Sequence, residues 1–545
     1  MIDKPTTGPR KTLLSTLALL FLAAGPALAQ PNDENAPPPG STEQPATGAP
    51  PATPPPPPPS VLAPEPPTAP VNPNRAKATS VEAAPATEVP LGLQVPTTSW
   101  FTRTPLKVVF GSENMPWAVT IFGVVQADYI FDTTRSYNDY IGSTLVARSD
   151  VYEGTVGRTQ FSMRNTRFGF TLDAPAIGGV TPSAVLQGDF SGNQPGVPYV
   201  PPGTSGPPVI SENAYYNSPT FRVRHAYLTL KNPVVDILAG QTFDVFGWQN
   251  YFSGCALLGI PAQTSSRTAQ FRLSKRFGEG GPISVDVAVA AARPGQRDSM
   301  VPDGEGGLKL NINSWKGITT PGNAVTVAAP LSIGVSGIVR QFKVNAFTPP
   351  PAQSSNHATG WGVSADLFAP IIPAQSADDR GNRLTLIGSF AYGTGIADLL
   401  VTGGGARFPQ LPNPAQQTPP PLYTPDVDSS LVSFDILGVL HTIDWMTGKG
   451  SLQYYLPGSG RLILAGNFTY AHSQNISKLF PRGRSDIELI GTVADTSISG
   501  DGSLLWDATP TIRFGLSGQY TWAHYIDRLN TPHNIRGVAQ ALYVF

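Results

Sequence analysis

The chain of 545 residues carries 36 Lys and Arg against 37 Asp and Glu, a formal net charge of −1, and only 13% of its residues are charged. That fraction is about half the ~25% of ordinary soluble domains, and the near-neutral balance argues against a nucleic-acid partner, which calls for a basic patch. One cysteine, Cys255, excludes an internal disulfide and reads as a small, buried apolar residue.

Lys4, Arg10 and Lys11 precede an apolar stretch at 13–24, and Ala27-Leu28-Ala29 offers a small-residue cleavage site. Residues 1–29 therefore read as a secretory signal peptide, too short in its apolar part to cross ~30 Å of hydrocarbon as a helix. Residues 30–98 are a second region, with proline at 20 of the 60 positions from 31 to 90. Such a stretch cannot bury a core and favours extended polyproline II, so it reads as a disordered periplasmic linker. Peptidoglycan is a candidate contact for it, against the plainer reading of a spacer without a partner. No later segment approaches ~20 consecutive apolar residues. An exported chain without such a helix is either soluble or a membrane protein built from strands.

From about Trp100 the texture changes to short alternating stretches separated by turn residues. They fall at 119–131, 163–172, 183–190, 221–230, 235–243, 269–277 and 283–292, then 331–342, 361–367, 384–392, 431–441, 462–470, 512–522 and 537–545. Repeated strands of about ten residues with period-two alternation are the signature of a transmembrane barrel. Residues 99–545 are accordingly predicted to form an all-β, antiparallel β-barrel of about 16 strands. Residues 191–220 and 401–430, rich in Pro and Gly, read as external loops, and Lys231-Asn232-Pro233 as a tight periplasmic turn. In the closing strand Gly537, Ala539, Ala541, Tyr543 and Phe545 share one face. The Tyr543-x-Phe545 ending fits the terminal signature read by the outer-membrane assembly machinery.

Alternation also sorts the polar residues. Phe221, Val223 and Tyr227 point one way and Arg222 and Arg224 the other, while Gln270, Arg272, Ser274 and Arg276 oppose Phe271, Leu273 and Phe277. An arginine facing lipid near the midplane costs ~2–4 kcal/mol, so these arginines, with Arg167, are expected to line the lumen. Arg164 and Arg167 are an odd number of positions apart and cannot both face inward on a regular strand. Clustered guanidinium groups attract anions and match carboxylates in a bidentate manner. The competing reading pairs the arginines with Asp128, Asp173, Asp189, Asp236 and Asp244 as wall supports.

Enzymatic readings find little. The six histidines show no i,i+4 pair and no cysteine companion, so no metal site is expected. Thr402-Gly403-Gly404-Gly405-Ala406 lacks the strand-to-helix setting and the lysine of a phosphate cradle. No cofactor is implied.

The segments FGVVQADYIFD (122–132), RNTRFGF (164–170), VLQGDFSG (185–192), FRVRHAYLTL (221–230), LAGQTFDVFG (238–247) and RTAQFRLSKRF (267–277) resemble the DcaP-like porin family. The resemblance covers mainly residues 120–280. It implies a 16-stranded trimeric outer-membrane channel for small anionic organic solutes such as dicarboxylates, with Arg222, Arg224 and Arg272 in the pore. Many members carry a helical N-terminal extension, which the prolines here forbid. The expectation is thus a passive outer-membrane porin. An autotransporter or adhesin displaying the Pro-rich segment, and an outer-membrane hydrolase, are the alternatives.

Overall fold

The computed structural model describes residues 106–545 outside segments 193–218, 248–262, 346–354, 401–426 and 481–492 and a few shorter ones. The predicted signal peptide, the predicted Pro-rich linker, Cys255 and most of both predicted external loops lie outside the described residues. In chain order the strands are β1 (Leu106–Ser112), β2 (Met115–Asp132), β3 (Arg158–Ser162), β4 (Arg167–Asp173), β5 (Thr181–Asp189), β6 (Arg222–Lys231) and β7 (Asp236–Phe243). Next come β8 (Arg267–Phe277), β9 (Ile283–Ala292), β10 (Asp303–Thr319), β11 (Val327–Asn345), β12 (Ser355–Ile372) and β13 (Arg383–Thr394). The last are β14 (Val432–Phe434), β15 (Leu440–Thr442), β16 (Asp444–Tyr455), β17 (Leu462–His472), β18 (Ala494–Asp507), β19 (Ile512–Tyr525) and β20 (His533–Val544). Among the described residues no helix is long and apolar enough to cross a membrane.

Apart from the β14–β15 hairpin, all strands join one antiparallel sheet. β3 and β4 pair with successive parts of β2 and are two pieces of one wall strand. β1 pairs with Met115–Ile121 of β2, on the edge where β20 pairs with Val124–Asp132, so β1 prolongs the line of β20. The wall therefore has sixteen strands and closes on itself, which removes every sheet edge from the lipid. Closure runs to the last residue: the Phe545 N–H donates to the Gly123 carbonyl at 3.1 Å, and the Gly123 N–H to the Phe545 carbonyl at 3.0 Å. Tyr543 stands opposite Val125, its ring stacked on that of Phe545. A Cβ on Gly123 would lie 2.4 Å from the Phe545 ring, so glycine is what lets the terminal aromatic lie on the wall.

Alternation sorts the two faces. On β2, Gln126, Asp128 and Asp132 are buried inside, whereas Val125, Tyr129 and Phe131 are exposed outside. Outward exposure of large apolar side chains continues around the wall, as lipid requires. Lys231–Asp236 is the expected tight turn, fixed by the Asn232 side chain accepting from the Val234 and Val235 N–H groups at 2.8 and 3.0 Å.

Thirteen of the predicted stretches are wall strands. The stretch at 431–441 is not: it forms the β14–β15 hairpin, with Val432, Ser433 and Phe434 all buried. β10, β16 and β18 have no counterpart among the predicted stretches. Tyr227 also departs from its expected face. Gln187 pairs with His225 but Gly188 with Val223, so Arg224 is the extra residue of a β-bulge. Beyond it the parity inverts, and Tyr227 is buried against Leu238 and Phe243 while Leu228 is exposed.

Candidate functional site: the lumen and its inturned segments

The chain leaves β7 at Asp244 and turns inward across β8 and β9. Glu305 of β10 accepts from the Val245 N–H at 2.7 Å and the Phe246 N–H at 3.3 Å, and Ser336 of β11 accepts from the Gly247 N–H at 2.8 Å. Gly247 has φ +66°, and a Cβ there would lie 2.5 Å from the Thr264 Cβ. Val245 packs on Ala288 and Ala290 of β9. Two buried backbone donors that share one side-chain acceptor are costly to leave unmade, so this contact fixes the turn.

A second inturned stretch, described at 395–400, 430–435 and 437–443, lies over β11 to β17. Its Ile396, Leu399, Leu431 and Phe434 join Phe246, Phe342, Trp445 and Phe480 in one buried apolar cluster. Arg340 of β11 binds this segment to the wall. Its guanidinium reaches Asp303 of β10 at 2.6 Å, Asp398 at 2.6 and 2.8 Å, and the Gly395 carbonyl at 2.9 Å. At the short-turn end, the Gln453 side chain of β16 bonds Thr320, its Oε1 accepting from the N–H at 2.8 Å and its Nε2 donating to the carbonyl at 2.6 Å. Arg513 of β19 joins Asp507 at 2.6 Å and the Pro321 carbonyl at 3.0 Å, and Arg380 meets the same Asp507 at 2.7 Å. The sector from β10 to β19 is thus packed at both ends.

On the opposite sector the predicted arginines separate into three settings. Arg222 holds fully buried Asp189 through two bonds of 2.9 and 2.7 Å, and Arg224 reaches the same carboxylate at 2.7 Å. The bulge at Arg224 is what brings both side chains to Asp189. Arg167 stands opposite Asp189 in register, and Arg167, Arg224 and Arg267 are all close enough to act electrostatically on His225. Arg272 is fully buried and donates to Gln270 Oε1 at 2.9 Å and to the Phe243 carbonyl, beneath the point where the chain leaves β7. Arg276 pairs with Asp286 at 2.7 Å, which Lys309 also approaches at 3.4 Å.

Of the carboxylates named as possible partners, Asp189 pairs with these arginines, through Arg222 and Arg224. Asp128 accepts from Gln126, Asp173 from Ser183 and Asp244 from Thr268, and Asp236 accepts from the Asn232 N–H. The Arg164–Arg167 parity conflict resolves as an interruption of the strand. The Thr166 N–H bonds the Met163 carbonyl at 2.9 Å, splitting β3 from β4, and Arg164 turns to Asp139 at 2.9 Å. Arg267 is the residue missed from the sequence. It lies an odd number of positions from Arg272, at the strand end, with its guanidinium 5.5 Å from the Phe243 ring.

A closed sixteen-stranded barrel with lipid-facing apolar rows, a polar interior and inturned loops is the fold of the porin-type outer-membrane channels. No family model matches the chain, and no curated protein does. Among solved structures, the outer-membrane channel DcaP of Acinetobacter baumannii is similar over 80% of this chain and 99% of its own, with a TM-score of 0.54 at 15% identity. The anion-selective porin of Comamonas acidovorans aligns at a TM-score of 0.41 and 9% identity, over 79% of this chain and 100% of its own. A trimer form of OmpT, an outer-membrane protein of Vibrio cholerae, aligns at 0.41 and 9%, over 79% and 99%.

Proposed function

We propose that this chain is a passive outer-membrane diffusion channel for small hydrophilic, anionic, carboxylate-bearing solutes, working as a homotrimer. The observation that carries the anionic preference is the gathering of Arg167, Arg222, Arg224 and Arg267 around Asp189 and His225 on one side of the barrel. Guanidinium forks match carboxylates bidentately, and a basic wall concentrates anions in a low-dielectric passage. Arg272 contributes by holding the inturned segment at Asp244 in place. The closing strand ending at Tyr543 and Phe545 is the part of the chain offered to the assembly machinery.

The test is conductance of purified protein in planar bilayers under asymmetric salt. Wild type is expected to favour anions, and Arg222→Ala with Arg224→Ala to shift the reversal potential toward cation preference. An unchanged reversal potential refutes the role given to these arginines. Cross-linking and sedimentation of the same preparation test the trimer separately.

A further inference from the structure

On the outside of the barrel, the register of β9 to β13 draws the level at which lipid hydrocarbon ends. Ala291 pairs with Gly304, Gly304 with Val339, Val339 with Trp361 and Trp361 with Thr394, so five neighbouring strands share one outward row. On the short-turn side of that row the outward side chains are apolar, with Val285, Val287 and Val289 on β9 and Ile333 and Val335 on β11. Ile283, just past the short turn from β8, to Ala291 matches the ~9–11 residues with which a tilted strand crosses hydrocarbon. Trp361 is exposed and meets Tyr392 edge-on with ring centroids 5.7 Å apart, as in an interfacial girdle.

Nearer the loops the same rows turn polar. β9 runs on to exposed Arg293, β11 to exposed Gln341 and Lys343, and β12 to exposed Thr359 and His357, which stand opposite Gln341 and Lys343. Arg293 follows buried Ala292 and Lys343 follows buried Phe342, so both cations lie on the outward side. Neither side chain has a hydrogen bond or ion pair among the described residues. The Lys343 N–H donates to Gln296 Oε1 at 2.6 Å, which fixes the strand end without using the ammonium, and Asp303, paired with Ala292, faces inward onto Arg340. From a ~4.8 Å strand spacing and a ~3.4 Å rise, the two backbones stand roughly 12 Å apart, within the joint reach of an arginine and a lysine.

Below these cations the wall is indented. Gly304 and Gly306 of β10 and Gly337 of β11 face outward, and Gly306 and Gly337, paired with each other, lie between Val289 and Val363. A Cβ on Gly304 or Gly306 would lie 3.9 Å from its nearest neighbour, so barrel packing does not demand glycine there. A strand glycine that its own fold does not require fits close approach by another molecule. Long loops leave a barrel of this kind on its external side, so the cations stand at the headgroup level of the outer leaflet.

The geometry points to a lipid site on this outward face: Arg293 and Lys343 bind the phosphate of an anionic outer-leaflet lipid, and an acyl chain lies in the slot over Gly304, Gly306 and Gly337. This inference rests on the outer-membrane placement proposed above and not on the solute or the selectivity. Phosphate oxygens match a guanidinium fork and accept from an ammonium, and basic residues at a membrane surface draw anionic headgroups. A soluble anion uses the cations without the slot, and a neutral lipid the slot without the cations.

The test uses full-length protein in non-ionic detergent with three probes: diphosphoryl lipid A, the same lipid without its phosphates, and inorganic phosphate. The midpoint of heat unfolding, followed by loss of β-sheet circular dichroism, is read against probe concentration. The phosphorylated lipid is expected to raise the midpoint, and the other two probes to bind at least ~10-fold more weakly. Arg293→Gln with Lys343→Gln is expected to weaken the phosphorylated lipid by ~10-fold or more while single-channel conductance stays as in wild type. Gly306→Leu fills the slot and is expected to weaken the same lipid with the cations intact. Lys343→Gln alone, a change at an exposed side chain, serves if the double variant fails to assemble. Equal binding of the dephosphorylated lipid, equal binding of inorganic phosphate, or wild-type lipid affinity in the Lys343 or the Gly306 variant each overturns the proposal. Intact lipid binding by a protein without anion preference supports the lipid site and sinks the selectivity reading alone.

Discussion

Arg340→Ala is expected to release the inturned residues 395–400 from the wall. The guanidinium is 1% exposed and makes five bonds, of 2.6 to 3.0 Å, to Asp303, Asp398 and the Gly395 carbonyl. Removing it leaves Asp303, 3% exposed, and Asp398, 17% exposed, as neighbouring carboxylates without their shared cation. Breaking a buried ion network by removing one partner costs about 3–5 kcal/mol. At ~1.4 kcal/mol per tenfold, that shifts the local docking equilibrium by on the order of 10²- to 10³-fold. Single-channel recording should then show excursions to higher conductance that wild type lacks, together with a lower heat-unfolding midpoint. Arg340→Lys keeps the charge but not the fork and should fall between. The triple change Arg340→Met, Asp303→Leu, Asp398→Leu should recover much of the midpoint, because an apolar replacement leaves no orphan charge. A wild-type current histogram and midpoint in Arg340→Ala would refute the argument that this network holds the loop.

Glu305→Ala leaves the Val245 and Phe246 N–H groups without their acceptor, at ~1–3 kcal/mol for each buried donor. A broadened conductance distribution is expected, and Ser336→Ala, which touches one donor, should do less. Gly123→Leu drives a side chain into the Phe545 ring and should lower the yield of heat-resistant folded barrel, whereas Gly518→Leu, where a Cβ meets nothing within 4 Å, should not. Equal yields would show that packing of the terminal ring is immaterial to assembly. In the turn between β12 and β13, the Gln375 N–H and then the Arg383 guanidinium hold the Asp379 carboxyl below its ordinary range. A depressed carboxyl stabilises fully above its unfolded pKa near 4 and loses that contribution as pH falls through its folded value. Protease nicking of this turn should rise on acidification in wild type and be pH-independent in Asp379→Asn.

The strands that alternation revealed are those whose outward residues are large and apolar. β10, β16 and β18 stayed hidden because glycines occupy their outward positions: Gly304 and Gly306, Gly448 and Gly450, Gly500 and Gly502. A glycine erases the period-two hydrophobic signal without weakening the pairing, as Gly466 opposite Gly502 and Gly502 opposite Gly518 show. The reverse error at 431–441 has the matching cause. That stretch alternates like a wall strand, yet its Leu431, Val432, Phe434 and Leu440 are covered by the protein interior instead of lipid. Local pattern reports that a face must avoid water, and the closure of the whole sheet decides what covers it.

For the lumen, parity placed Gln270, Arg272 and Ser274 on one buried face and Phe271 and Leu273 on the exposed one, as the structure has them. It failed beyond Arg224, where one bulged residue inverts every later side chain. It was also blind to partners. Arg222 and Arg272 look alike in sequence, each preceding an apolar residue on an alternating strand, but their surroundings differ. Asp189, 33 positions away from Arg222, leaves that arginine partly exposed at 31%, whereas the carbonyl of Phe243 and Gln270 enclose Arg272 completely. The first guanidinium keeps an exposed edge. The second lies beneath the segment that starts at Asp244. The strand pattern names the face, and the long-range contacts determine which arginine on that face stays accessible.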